Sequence, residues 1–275
     1  MIRRSLSIPA NLLLAAMAVL AAGCGEEQTP QFRTGGGYVS PQRLDRGLVI
    51  ILPGIEGESH MNHGIRDGVL SGGIDRAVPI HLWGSPIPGV SLLINQTNVV
   101  GNRLAGKKVA DMIVAYQDAN PGRPVHIIGH SGGGGVAVFA AEAMPEGRQV
   151  DGIILLSASI SAGYDMSKAV SKCKSGAVNF YCRGDVVLLV IGTSFFGNVD
   201  GARGTAAGNA GFTKGYPKLY EFELTPEMTF GDPHAAATRP EFVRTYVAPW
   251  IASAIWSPGS GALTPPAAAS APPSP

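Results

Sequence analysis

The residues best suited to covalent chemistry stand at Gly129-His130-Ser131-Gly132-Gly133. The string fits G-x-S-x-G, but its surroundings carry more weight, because a chain with 37 glycines produces such runs by chance. The apolar segment Val125-His126-Ile127-Ile128 enters it, and a run of small residues to about Met144 leaves it. A strand that gives way to a helix so abruptly must reverse at the serine. Side chains two places before and after would then collide, so both positions need glycine. The result is an Oγ exposed at the carboxyl end of a strand, beside a helix N-terminus that favours developing negative charge. Those are the requirements of a nucleophile. A phosphate-binding turn would instead want a lysine after the glycines, or G-x-G-x-x-G spacing with an acidic residue about 20 positions on, and neither is present.

Such a serine needs a rigid sheet beneath it. Short β-rich apolar runs alternate along the chain with longer helical patterns, the signature of a parallel sheet with crossover helices. Strands are expected at 48–52, stopped by Pro53-Gly54, and at 78–83, 125–128, 153–156, 177–181 and 219–224. Val109, Met112, Ile113 and Tyr116 share one helical face, which Asn120-Pro121-Gly122 closes. A short helix is expected from about Asp165. Phe242, Val243, Tyr246, Val247, Trp250 and Ile251 line a closing helix, expected to kink at Pro249. Continuous rather than alternating apolar strands imply that both faces of the sheet are covered.

From about Leu48 to Ile255 the sequence resembles the α/β-hydrolase superfamily in its lipase and esterase branch. The resemblance implies a mostly parallel, doubly wound sheet with helices on both faces. It also implies a triad in the order serine, acid, histidine, each after a later strand. Its base would be His234, the only histidine after Ser131, in the loop Gly231-Asp232-Pro233-His234 ahead of the closing helix. Two positions stay open for the acid. Asp185 is preferred, because in Tyr181-Cys182-Arg183-Gly184-Asp185 it directly follows the 177–181 strand. Asp200, in Gly197-Asn198-Val199-Asp200-Gly201, would take its place if 186–191 were itself the strand. The acid would hold His234 in one tautomer while His234 moves the Ser131 proton to the leaving group. Two backbone donors would bind the oxyanion, the amide of Gly132 and one in Pro53-Gly54-Ile55-Glu56-Gly57, at Ile55 or Glu56.

The reaction so implied is hydrolysis of a carboxylic ester, from a small molecule or a lipid, without a cofactor. Thioester or amide cleavage would use the same residues. The reading from another class is a lipoprotein that keeps the fold as a non-catalytic binding module. Only about twenty residues separate the strand ending near Ser157 from the one starting at Ala177, so little or no cap domain is expected. The stretch from Gly197 to Gly215 is rich in glycine and costly to order. It is expected to form a mobile flap.

The remaining sequence bounds where the site works. Arg3 and Arg4, an apolar run from Leu12 to Ala22, and small residues before Cys24 read as an export signal over 1–23. Leu20-Ala21-Ala22-Gly23-Cys24 resembles the lipobox of bacterial lipoproteins, with Ala21 where leucine is usual. That resemblance implies an acylated Cys24 and a protein exported to the cell envelope, membrane-anchored on its periplasmic or outer-membrane face. Residues 24–45 read as a flexible tether and 46–256 as the hydrolase-like domain. The tail at 257–275 holds only Ser, Pro, Gly, Ala, Thr and one Leu, too little apolar surface to fold. A formal charge of +1 with no basic stripe leaves nucleic-acid binding without its electrostatic footprint. Cys173 and Cys182 could pair in an oxidising compartment. His60 and His63, with Glu56, Glu58 and Asp67 nearby, match no zinc spacing. They read as a polar loop at the mouth of the site, and no metal is expected.

Overall fold

Strands that are apolar along their whole length end up in the middle of this molecule. The computed structural model describes residues 37–84, 98–183, 198–229 and 231–257. In it, β1 (Leu48–Leu52), β2 (Val125–His130), β3 (Val150–Leu156), β4 (Cys173–Tyr181) and β5 (Leu219–Glu223) make a five-stranded sheet in that order. Every pairing is parallel. Parallel neighbours cannot be joined by a tight turn, so the chain crosses over between them. The crossovers carry α1 (His60–Ser71) and α2 (Val99–Ala119) before β2, α3 (Gly132–Glu142) before β3, and α4 (Ser167–Ser171) before β4.

Alternate residues of β1 feed two separate cores. Leu48, Ile50 and Leu52 pack with Val109 and Ile113 of α2 and with the whole of α3 from Val136 to Ala141. Val49 and Ile51 pack with Ile65 and Val69 of α1 and with Phe242, Val243, Val247 and Trp250 near the C-terminus. Helices therefore cover both faces of one parallel sheet, which is the α/β-hydrolase architecture expected from the sequence. All of the described residues belong to one unit, Phe32–Pro275.

Three elements differ in detail from the sequence reading. The segment expected as a strand at 78–83 is reduced to two parallel bridges, Leu48↔Ala77 and Ile51↔Ile80. Pro79 has no N–H to give, and a proline is tolerated only on such an edge. The closing helix, α5, runs as Pro240–Phe242, a π-helical Val243–Val247, and Ala248–Ala252. The irregularity thus precedes Pro249, which cannot donate to the turn before it.

The third difference is larger. The stretch after 197 is no loose flap where it is described. The amides of Ala207 and Gly208 donate to the carbonyls of Ile160 (2.7 Å) and Ala158 (2.9 Å). The amide of Ala162 donates to Thr205 (2.9 Å), that of Thr213 to Ala162 (2.8 Å), and that of Cys182 to Gly208 (3.0 Å). These main-chain bonds offset the ordering cost of its glycines and weave the stretch into the carboxyl edge of the sheet.

Cys173 and Cys182 are both buried, and no disulfide joins them. Among the described residues no helix is long and apolar enough to cross a membrane. The expected export signal, Cys24, the acid candidate Asp185 and the tail from 258 lie outside the described residues.

Candidate active site

Strand β2 ends at His130 and α3 begins at Gly132, leaving Ser131 alone at the junction. Its backbone stands at φ 51°, ψ −121°. L residues held in such sparsely populated conformations cost about 1–3 kcal/mol. Three main-chain bonds hold it there. Its amide donates to the carbonyl of Leu156 (3.0 Å), and its carbonyl accepts from the amides of Gly134 (3.0 Å) and Ser159 (2.9 Å).

The flanking glycines are there for space. A Cβ on Gly133 would collide with the carbonyl oxygens of Leu52 and Pro53, and one on Gly129 would come within 2.6 Å of the Gly134 Cα. Helix α3 is apolar all round and buried for its first ten residues, as a helix sandwiched between sheet and neighbours must be. Its N-terminus, with its partial positive charge, points at Ser131.

The loop after β1 closes one side of the serine. A Cβ placed on Gly132 would lie 2.7 Å from Ile55 Cγ2 and 3.5 Å from the Ile55 amide nitrogen. The loop expected to offer the second oxyanion donor, at Ile55 or Glu56, therefore lies against Gly132. Trp83 walls the same side, its Cζ2 at 3.2 Å from that Cβ position. Its indole N–H donates to the carbonyl of Pro53 at 2.7 Å.

The Glu56 carboxyl folds back over Gly54, where a Cβ would strike it. Burial raises this carboxyl above the usual range, against the pull of nearby backbone amides and of His234.

His234 is brought to the same place by the loop that follows β5. Asp232 Oδ1 accepts from the amide of Ala235 (3.1 Å) and its carbonyl accepts from the amide of Ala236 (3.0 Å). This Asx-type turn presents His234 beside the elbow. Ser131 and His234 are both nearly buried, at 7% and 6% exposure. The His234 ring lies 4.9 Å from that of His130. The candidate base therefore rests against the residue that precedes the candidate nucleophile.

The two acid candidates part company. Strand β4 ends at Tyr181, as expected, but Asp185 itself lies outside the described residues. Asp200 is described, and both of its oxygens are taken by Ser161, Oδ2 by the hydroxyl (2.6 Å) and Oδ1 by the amide (3.2 Å). With the amide of Val199 donating to Ser159 (3.1 Å), Asp200 fastens its loop to the segment beyond β3. His63 Nε2 meets Glu58 Oε1 at 2.9 Å. No group of three metal-ligating side chains occurs among the described residues.

Sequence reasoning had no part for Trp83, for the folded-back Glu56 carboxyl, or for the contact of His130 with His234. Trp83 was visible only as the end of the expected 78–83 strand. The Glu56 carboxyl turns back within its own loop over Gly54, and the His130–His234 contact joins residues 104 apart.

Comparison with protein-family models finds no match, and comparison with curated proteins finds none either. Solved structures with partial similarity include Aspergillus fumigatus lipase B, 15% identical with a TM-score of 0.47 over 81% of this chain and 55% of the lipase. A poly(3-hydroxybutyrate) depolymerase from Bordetella parapertussis is 12% identical, with a TM-score of 0.41 over 70% of this chain and 77% of its own. An esterase from Pyrobaculum calidifontis is 14% identical, with a TM-score of 0.33 over 64% and 66%. The chain spans little more than half the length of the lipase. At such identities and scores nothing about activity passes from these proteins to this one.

Proposed function

We propose that this protein is a serine hydrolase that cleaves a carboxylic ester through an acyl-enzyme on Ser131. The observation that carries the reading is the backbone of Ser131, a non-glycine residue at φ 51° between a parallel strand and a buried helix. Strain of this kind persists where the surroundings over-determine it, and such places cluster at reacting groups.

In the proposed cycle Ser131 Oγ attacks the ester carbonyl as His234 takes its proton. The oxyanion forms between the amides of Gly132 and Ile55. Ile55 is preferred to Glu56 because its amide nitrogen lies 3.5 Å from the Cβ position of Gly132. His234 then protonates the leaving alcohol, and water deacylates the serine by the same route in reverse. Asp185 is the proposed acid, since the carboxylate of Asp200 is already bound twice by Ser161. The lipobox-like residues place this chemistry, in the same proposal, at the cell envelope on a lipid-modified Cys24. Fractionation of a Cys24→Ser variant into the soluble phase would support the anchor.

A fluorophosphonate probe tests the central reading. It should phosphonylate the folded protein on the peptide that contains Ser131 and leave Ser131→Ala unlabelled. A folded wild-type protein that takes no label would leave the non-catalytic binding module in its place.

A further inference from the structure

We propose that His130 is the positioning residue of the base, a side chain on the nucleophile's own strand that holds the His234 loop in register with Ser131. This rests on the reading of Ser131 and His234 as nucleophile and base.

The imidazole of His130 is fully buried. Its Nε2 lies 3.3 Å from the main-chain carbonyl oxygen of His234, and the two rings stand 4.9 Å apart at 53°. Burial, then the charge of a protonated His234, pushes its pKa down to about 3. The ring is therefore neutral at physiological pH and carries one proton to place. Nδ1 has no hydrogen-bond partner among the described residues. The nearest carboxyl oxygen, Glu56 Oε1, is 4.0 Å away, beyond hydrogen-bond reach and too far to pair with an uncharged ring. The carbonyl of His234 is the acceptor within range, so the network assigns the proton to Nε2. Burial also favours the uncharged form of Glu56, which limits repulsion of the bare Nδ1 lone pair.

The consequence is a direct link between elbow and base. Ser131 follows His130 without an intervening residue, so any movement of the elbow carries the donor that holds His234. The same ring packs against the His234 imidazole, with 4.9 Å between centroids. A buried polar side chain in an otherwise apolar strand costs stability unless its bonds are made. Here the bond made is to the base loop.

The test uses the full-length protein and p-nitrophenyl butyrate, with rates expressed per serine titrated by a fluorophosphonate. His130→Leu keeps bulk and loses the donor, while His130→Gln carries an amide nitrogen near the place of Nε2. Misplacing a reacting group by about 1 Å costs on the order of 100-fold. We expect His130→Leu to lose about 10- to 100-fold in kcat with KM little changed, and His130→Gln to recover to within a few-fold of wild type. A residue that only fills space would change the amount of titratable enzyme and its melting temperature, not kcat per site. If His130→Leu does not fold, His130→Asn, whose amide stops near the place of Nδ1, is measured instead with the same expectation. An unchanged kcat per site in the donor-less variant, or a Gln variant as slow as it, overturns the assignment. A folded wild-type protein that takes no label overturns the hydrolase reading itself, which keeps the two failures apart.

Discussion

The amide of Ser131 donates to the carbonyl of Leu156 at 3.0 Å, so the candidate nucleophile is tied to β3 as well as to its own strand. That bond belongs to the main chain and survives any side-chain change.

Ser131→Ala is therefore expected to abolish ester hydrolysis while its melting temperature stays within about 2 °C of wild type, since small changes of this kind move stability by well under 1 kcal/mol. Ser131→Gly should be equally inactive yet melt higher than Ser131→Ala, because glycine relieves a φ of 51° that costs alanine about 1–3 kcal/mol. The added flexibility of the unfolded glycine chain returns only about 0.5–1 kcal/mol of that. Calorimetry of the two variants side by side decides it. A glycine variant melting well below the alanine one would mean that the elbow stores no strain.

Gly133→Ala meets the opposite fate. Its new Cβ would strike the carbonyl oxygens of Leu52 and Pro53, and neither belongs to a side chain that can swing away. The variant should lose at least about 2–3 kcal/mol, as overpacking against rigid surroundings does. Gly163→Ala is the control, for nothing lies within 4 Å of the Cβ it would gain. Urea unfolding should show the control within about 0.5 kcal/mol of wild type.

The elbow was legible in the sequence because its constraint is local. Gly129 is needed for a steric reason that acts within five residues, against Gly133 and Gly134, although Gly133 answers to the distant carbonyls of Leu52 and Pro53, and β1 and β2 announce themselves by unbroken apolar runs. What was not legible depends on distant partners. Strand β4 begins at Cys173 rather than Ala177, since pairing of Cys173 with Val150 extends it through the polar Lys174-Ser175. The glycines beyond 197 advertise an entropy cost, while the carbonyls of Ala158 and Ile160 that offset it lie some fifty residues earlier. The role of His130 depends on a carbonyl 104 residues away.

The two acid candidates can be told apart by paired amide substitutions. Asp200→Asn removes one acceptor from Ser161 but leaves the triad as proposed, so turnover should stay within a few-fold while stability falls by about 1 kcal/mol, a typical net hydrogen bond. Asp185→Asn should lower kcat by about 10³- to 10⁴-fold, because the amide favours the wrong tautomer of the base. The reverse pattern in steady-state rates would assign the acid to Asp200.

Acid stability should be governed in part by His126. Its ring is buried in β2, with Nδ1 accepting from Arg76 Nη1 at 3.2 Å and Trp256 packed at 6.0 Å between centroids. Burial first, then the charges of Arg76 and Lys174, pushes its pKa down to about 3. The folded pKa lies below the unfolded value of about 6.5, so below that pH the unfolded chain binds the proton that the native ring refuses. The stability of neutral His126 is thus complete above about pH 6.5 and is lost as pH falls from there toward about 3. The slope is about 1.4 kcal/mol per pH unit, or about 2 kcal/mol by about pH 5. His130, also near 3 through burial, adds a similar loss. Glu221, whose carboxyl burial raises, works in the other sense, since the native state then gains a proton ahead of the unfolded one. His126→Asn keeps an acceptor for Arg76 and does not titrate. It should start less stable at neutral pH and lose markedly less on acidification. Melting temperatures of wild type and variant between pH 7.5 and 4.5 provide the comparison. Parallel curves would show that the His126 ring takes its proton in the folded state after all.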